Sequence, residues 1–243
     1  MGASSYVEYA PAGLERWAEC VWERRAGASG DVARVIPDAC MDLVWSTSAG
    51  LTAVGPNTTA FLAALPARAS ALGVRLQPGC APPLFGVSAE ALRDAGLAAA
   101  DLWGDEGRRL EERVAHAPGA RARRLLLLGW LEERARRARG PDPLVRAAAR
   151  SLCLAPETRV AALARDMGVA ERRLRRRVVS QVGYGPKRLG RVLRLRRALA
   201  EIQTGTGLAE AAFGAGYVDQ AHFTNDCRDL AGVPPTSVFS KTA

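Results

Sequence analysis

The sequence predicts an α+β protein in two parts. A small β-rich domain, a barrel or sandwich with trailing helices, is expected over residues 1–139, and an all-α domain over residues 144–243. Three observations predict this. Between residues 6 and 85, short apolar runs ("ARVI", "MDLVW", "LTAVG", "AFLAAL", "GVRL") are separated by Pro and Gly ("IPDA", "VGPN", "LPAR", "LQPG", "APP"), which is strand length with turn punctuation. After residue 88 the apolar positions recur at helical spacing instead. The C-terminal region, finally, holds one pattern written twice.

A chain of 243 residues can bury one large core or two smaller ones, and 48% hydrophobic with 24% charged residues is ordinary for a protein that folds in water. No apolar run approaches the ~20 residues of a membrane span, and "MGASSYVEYAPAG" lacks the basic and apolar regions of a secretion signal. A cytoplasmic protein with no membrane partner is expected. "MGASSY" also has Tyr6 where an N-myristoylation signal carries Ser or Thr. The five cysteines (Cys20, Cys40, Cys80, Cys153, Cys227) are odd in number and include no C-x-x-C pair, so reduced thiols are the default.

The net charge of +9 is carried almost entirely by Arg, which a GC-rich genome alone can produce. Position is therefore more informative than the total. Residues 1–133 hold 13 basic and 16 acidic side chains, residues 134–200 hold 19 and 4, and residues 201–243 hold 2 and 5. A genome-wide bias would raise Arg everywhere; a basic segment this local marks a face for a polyanion such as nucleic acid.

Within the helical part, Ser88 is placed to cap "AEALRDAG", and residues 105–115 and 121–139 read as two further helices broken at "APGA". In the longer one Leu125, Leu128 and Leu131 recur every three residues, with Leu127 and Trp130 widening the stripe. That stripe either packs on its own domain or joins two subunits. "RARGPDP" then ends the helix and serves as the interdomain linker.

The repeat pairs "VAALARDMGVAERRLRRRVVSQVGYGPKRL" with "LAEAAFGAGYVDQAHFTNDCRDLAGVPPTSV". Each copy has Ala four residues before Gly (Ala164 and Gly168; Ala212 and Gly216), a large apolar residue after it (Val169; Tyr217), and a Gly-to-Pro stop (Gly183, Pro186; Gly232, Pro234). The turn glycines are 48 residues apart (216 − 168) and the stop glycines 49 (232 − 183), so the second copy has one extra residue. Two helices crossing at a wide angle need a small side chain where they touch, and the tight turn takes left-handed backbone most cheaply as Gly. This is the spacing of a helix-turn-helix, twice, with "LGRVLRLRRALAEIQ" as a connecting helix.

On these residues the chain resembles the AraC/XylS family of bacterial transcription regulators, over roughly residues 144–240, with "GYVDQAHFTNDCRDLAGVPP" the most specific stretch. "VIPDACMDLVW", "VGPNT" and "GVRLQPGCAPPLFGVSAEALRD" look like the N-terminal sensor region of one branch of that family. The resemblance implies a double helix-turn-helix that binds double-stranded DNA, a small-molecule effector bound by the N-terminal domain, a homodimer, and RNA polymerase as a further partner if the protein activates. The chain departs from the family in having Val178 and Cys227 where Phe is usual in each recognition helix.

In the first unit Leu174 and Val178 turn inward, which leaves Arg172, Arg173, Arg175, Arg176 and Arg177 on the outer faces. The family's pattern makes Arg172, Arg175 and Arg176 base-facing, and Arg can pair with guanine O6 and N7 for about 1–3 kcal/mol of discrimination. Arg173 joins them as a candidate DNA contact. Lys187 and Arg188 follow Pro186 at a helix start, a place for phosphate. In the second unit the same pattern puts Gln220, Ala221, Thr224 and Asn225 toward the groove, where Gln or Asn suits adenine and Ala a thymine methyl.

For the sensor, Trp17, Trp22, Trp45, Phe61 and Phe85 either line an effector pocket or form the core. Cys40 and Cys80, in "PDACMD" and "QPGCAPP", either approach each other as a thiol sensor or are buried structural residues. Trp22, Cys40, Trp45 and Cys80 are the ligand-binding candidates. No catalytic constellation is present: His116 and His222 are the only histidines, with no H-E-x-x-H, zinc cluster, G-x-S-x-G or P-loop, so no enzyme, metal or cofactor is expected. The alternative to an effector-controlled regulator is an effector-independent DNA binder whose front domain makes protein contacts.

Overall fold

In the computed structural model, which describes residues 3–239, eight strands come first: β1 (Ser5–Tyr9), β2 (Ala18–Arg25), β3 (Asp31–Val35), β4 (Met41–Ser46), β5 (Gly50–Val54), β6 (Phe61–Leu65), β7 (Ser70–Leu76) and β8 (Gly96–Ala98). Six of them form an antiparallel sheet in the order β1-β2-β7-β4-β5-β8, and β3 pairs with β6 in a separate ribbon. All five runs read as strands from the sequence are strands. The pairing gives two sheets, not a closed barrel. Arg24 of β2 ties them together, donating to Asp31 of β3 and to the carbonyl of Ala63 in β6.

Helices α1 (Ala81–Phe85), α2 (Ala99–Trp103), α3 (Asp105–His116) and α4 (Gly119–Arg137) accompany the sheet. Alternation along the strands explains why. Leu43 and Trp45 of β4, Leu51 and Ala53 of β5, and Leu72, Val74 and Leu76 of β7 are buried together with Leu84, Phe85, Leu110, Val114, Leu127 and Leu131. Each such aliphatic side chain contributes about 1.5–3 kcal/mol when removed from water. The buried face of α4 is Leu127 and Leu131; Leu125 stays 61% exposed, so the three-residue stripe read from the sequence is split between the core and solvent.

The expected helix after Ser88 does not form. Residues 91–93 close successive four-residue turns (Ala91 N to Ser88 O, Leu92 N to Ala89 O, Arg93 N to Glu90 O), and Asp94 then takes a φ of +57°. Asp94 is held there as an acceptor for the Thr58 N–H and hydroxyl, and the Leu92 carbonyl lies against Gly55 so closely that a Cβ there would be 1.7 Å away. Long-range packing overrides a local helix preference here.

The other face of the sheet carries Trp22, whose ring covers Gly73 and whose indole N–H donates to Asp42 at 3.0 Å. Burial drives the Asp42 carboxyl up to about 7, against the opposing pull of Arg75. Because this folded value lies above the ordinary 3.8, the folded chain holds the proton more tightly than the unfolded one. The contribution of Asp42 to stability is therefore full below about pH 4 and is lost as pH rises toward about 7. Asp42→Asn cannot titrate, yet its amide oxygen still accepts from Trp22. Thermal melts should show a smaller loss of Tm between pH 5 and pH 8 in this variant than in the parent; equal losses would refute the assignment.

The remaining helices are α5 (Pro143–Leu154), α6 (Val160–Asp166), α7 (Glu171–Val182), α8 (Pro186–Gln203), α9 (Leu208–Gly214) and α10 (Gln220–Asp226), the last continued by a turn of π-helix geometry over Cys227–Ala231. They share a second core built on α8, whose Leu189, Val192, Leu195 and Ala198 are fully buried. Ala39, from the β3–β4 connection, is buried in this core rather than in that of the sheet.

Candidate nucleic-acid interface

The two repeats fold alike because the same backbone problem is solved twice. Helices α6 and α7 are joined through Gly168 at φ +64°, and α9 and α10 through Gly216 at φ +91°, the left-handed region that favours Gly. The residue after each glycine donates its N–H to the alanine five residues earlier: Val169 to Ala164 and Tyr217 to Ala212, both at 3.0 Å. Both alanines are buried where the helices cross. The second turn is the longer one, since α7 begins three residues after its glycine (171 − 168) and α10 four (220 − 216). The extra residue is thus accommodated in the turn, around the exposed Val218, and Asp219 caps α10 by accepting from the His222 N–H at 2.7 Å. Each second helix stops at a left-handed glycine, Gly183 and Gly232.

Helix α7 buries Leu174, Val178 and Val182 and leaves Arg172, Arg173, Arg175 and Arg176 exposed. Arg177 is turned away: its Nε donates at 2.6 Å to Asp142, which also caps the start of α5. Lys187 is exposed at the start of α8, whereas Arg188 is half-buried and donates to the Thr58 carbonyl at 2.7 Å. The sequence assigned Arg188 to phosphate; in this structure the guanidinium is occupied by the backbone of the N-terminal domain. On α10, Gln220, Ala221 and Asn225 are exposed and Thr224 is half-buried beside the buried Phe223. Val178 and Cys227, the departures from the family's Phe, are both fully buried, and burial pushes the Cys227 thiol up to about 12.

An ionic clamp that the sequence reading missed fixes α10 on α8. Asp226, 3% exposed, accepts from Arg191 Nε (2.9 Å) and Nη2 (2.7 Å) and from Arg194 Nη2 (2.8 Å). Burial pushes its carboxyl up, but the hydrogen bonds from Arg194 and Arg191 prevail and hold it below the usual range. Arg194 lies 4.4 Å above the Tyr217 ring and donates to His222 Nε2 at 3.0 Å, which leaves the His222 proton on Nδ1. The available signal was an Asp between Phe223 and Cys227 on an otherwise apolar face.

The N-terminal domain reaches the ends of both α7 and the α10 segment. The Ala89 N–H donates to the Ser180 carbonyl (2.8 Å) and Arg93 to that of Gly183 (3.1 Å); the Ala60 N–H donates to Leu230 (2.7 Å) and Arg34 to Ala231 (3.2 Å). Carbonyls in the last turn of a helix have no partner within it. Each recognition helix therefore ends under one backbone N–H and one guanidinium from the N-terminal domain. A third tie is made by Glu19, carried at a β-bulge in β2, which pairs with both terminal nitrogens of Arg196.

The sensor candidates are mostly core. Trp17, Trp45 and Phe85 are buried, Trp22 is half-buried over Gly73, and Phe61 is 40% exposed on the ribbon. Cys40 and Cys80 are buried, and their thiols face different backbone carbonyls, Asp38 and Arg16. Burial pushes the Cys80 thiol up to about 11 and that of Cys40 well above its ordinary value, the setting of inert rather than reactive sulfur. Among the described residues no cluster of His, Cys, Asp and Glu is arranged to hold a metal, and no helix is long and apolar enough to cross a membrane.

Comparison with known families matches residues 163–241 to one described as a helix-turn-helix domain and residues 7–98 to a domain of unknown function, DUF6597. No curated protein matches. Among solved structures, ToxT from Vibrio cholerae O395 superposes with a TM-score of 0.50 at 10% identity, over 94% of this chain and 99% of that one. ToxT from the same source bound to (E)-4-(8-methylnaphthalen-1-yl)but-3-enoic acid gives 0.49 at 12% identity, over 98% and 99%. At 10% identity the first of these likenesses is one of fold: a β-sheet domain followed by paired helix-turn-helix units.

Proposed function

We propose that this chain, a DNA-binding transcription regulator with an AraC-type helix-turn-helix domain, reads a specific duplex sequence with both helical units under the control of a small-molecule effector held by its N-terminal domain. Arg172, Arg175 and Arg176 contact base edges, Arg173 and Lys187 the phosphates, and Gln220, Ala221, Thr224 and Asn225 the bases of a second site. Arg188 joins the phosphate set only when its bond to Thr58 opens. The observation that carries the reading is the pairing of two solvent-facing recognition helices with a sensor that caps the end of each.

That arrangement supplies a mechanism. A shift of the sensor changes the partners of Ser180, Gly183, Leu230 and Ala231 together, and so the relative setting of the two reading heads. An effector with higher affinity for one setting moves the population toward it. The protein acts as a homodimer, for which α4 offers an outward face with Leu125 exposed and Gly129 open to close approach.

The test is selection of duplexes by the full chain from a randomised pool, followed by fluorescence anisotropy on the recovered site at several salt concentrations. A recovered motif, and an affinity that falls steeply with salt by about 0.9 log units per log unit for each phosphate engaged, are expected. Sedimentation of the same sample should give a dimer. An unselective pool would overturn sequence reading, and a monomer at working concentration the dimer.

A further inference from the structure

A cleft of about 480 Å³ lies between the domains, on the outer side of α5 and α8. Helix α5 turns Arg146 and Arg150, one turn apart, toward it; α8 supplies Arg196 and Arg197. Glu19 is the single carboxylate of the lining, and it is already paired with Arg196. Among the described residues Arg146, Arg150 and Arg197 are in no ion pair of 4 Å or less, unlike Arg177, Arg191 and Arg194 of the same domain. The charge of Arg146 opposes the upward push of burial on the Cys80 thiol. Charges of one sign converging on a concave site repel one another and focus a field into it. The apolar part of the lining is Ala149 and Cys153 of α5, with Leu193 and Ala200 of α8. Gln77 and Pro78 of the sensor close the opposite wall.

We propose that this cleft is a binding site for a small organic dianion, a dicarboxylate or a phosphomonoester with a compact apolar skeleton. Three uncommitted guanidinium groups provide forked donors matched to carboxylate and phosphate oxygens, and the volume falls in the range of small-molecule sites. One negative charge would leave the cleft strongly positive; two bring it close to balance. The site differs from the interior of the sensor, where Trp45 and Cys80 are closed into the core. Because Gln77, Pro78 and Glu19 belong to one domain and the arginines to the other, an occupant bridges them next to the Glu19–Arg196 pair. Its regulatory meaning rests on the effector-controlled reading above; its existence as a site does not.

The experiment is thermal denaturation of the full chain with inorganic phosphate, glucose 6-phosphate or phthalate, each matched in ionic strength with sodium chloride and paired with glucose or benzamide as uncharged counterparts. At ten times its Kd a dianion should raise Tm by about 3–6 °C. Arg150→Ala with Arg197→Ala should remove that rise. Should the double variant fail to fold, Arg150→Gln alone is expected to weaken binding at least fivefold. The phosphate and carboxylate arms identify the headgroup. A rise absent from all three probes, or one that persists in the variants, overturns the site. Anisotropy on duplex DNA separates this from the function: the variants lack neither recognition helix, so DNA binding that survives while the anion response disappears leaves the regulator reading standing.

Discussion

Replacing Arg172, Arg175 and Arg176 together with Ala is expected to weaken binding to the selected duplex by at least a hundredfold, taking about 1 kcal/mol or more for each arginine–base interaction removed. The fold should not suffer. All three side chains are exposed, the buried face of α7 consists of Leu174, Val178 and Val182, and surface changes of this kind usually stay within about 0.5 kcal/mol. Circular dichroism and Tm close to those of the parent would separate a weakened interface from a damaged fold. The variant also distinguishes base reading from phosphate gripping. Removing base readers relaxes preference at particular positions of the site, whereas removing phosphate ligands weakens all sequences alike and flattens the salt dependence. An unchanged affinity would remove α7 from the interface and, with it, the main support for the proposed function.

The second large effect concerns a buried residue of α10. Asp226→Ala removes the acceptor shared by Arg191 and Arg194 and leaves the guanidinium of Arg194, 7% exposed, with His222 as its remaining hydrogen-bond partner. Stripping the partner from a buried ion typically costs about 3–5 kcal/mol. In a chain of this length that is a fall in Tm on the order of 10 °C. Asp226→Asn, which keeps one acceptor oxygen, should lose less. The pH dependence has a defined sign. Since the folded carboxyl titrates below its ordinary 3.8, the clamp stabilises at pH values above that and is lost as pH falls through the folded value. The gap between parent and Asp226→Ala should therefore be full at neutral pH and close in acid. A Tm unaffected by the substitution at pH 7 would show that α10 is held by Phe223, Cys227 and Leu230 without the ion pairs.

The helix-turn-helix units were legible because their physics is short-range. A left-handed glycine, a small residue four positions before it, and a Gly-to-Pro stop act within a dozen residues, so Gly168 and Gly216 could be matched by spacing alone. The strands from β3 to β7 were legible for a similar reason, as apolar runs between turn formers. Strands β1 and β2 were less so. "AECVWERR" carries Glu19, Glu23, Arg24 and Arg25; the first three find partners far along the chain, Arg196 and Arg124, or across the sheet edge, Asp31, while Arg25 is exposed. The segment after Ser88 erred the other way, with helix-like local preferences overruled by Thr58 and Gly55.

By itself, then, the sequence determined that two crossed-helix units stand at the C-terminal end, that an arginine-rich surface belongs to the first, and that a strand-rich domain precedes them. Only the tertiary structure decided which arginines of this unit and of the connecting helix remain uncommitted. Arg177 is tied to Asp142, Arg188 to Thr58, and Arg191 and Arg194 to Asp226, across separations of 35, 130, 35 and 32 residues. The reason is range: backbone sterics are settled between near neighbours, whereas a charge finds its partner wherever folding brings an acceptor, and periodicity carries no record of that meeting.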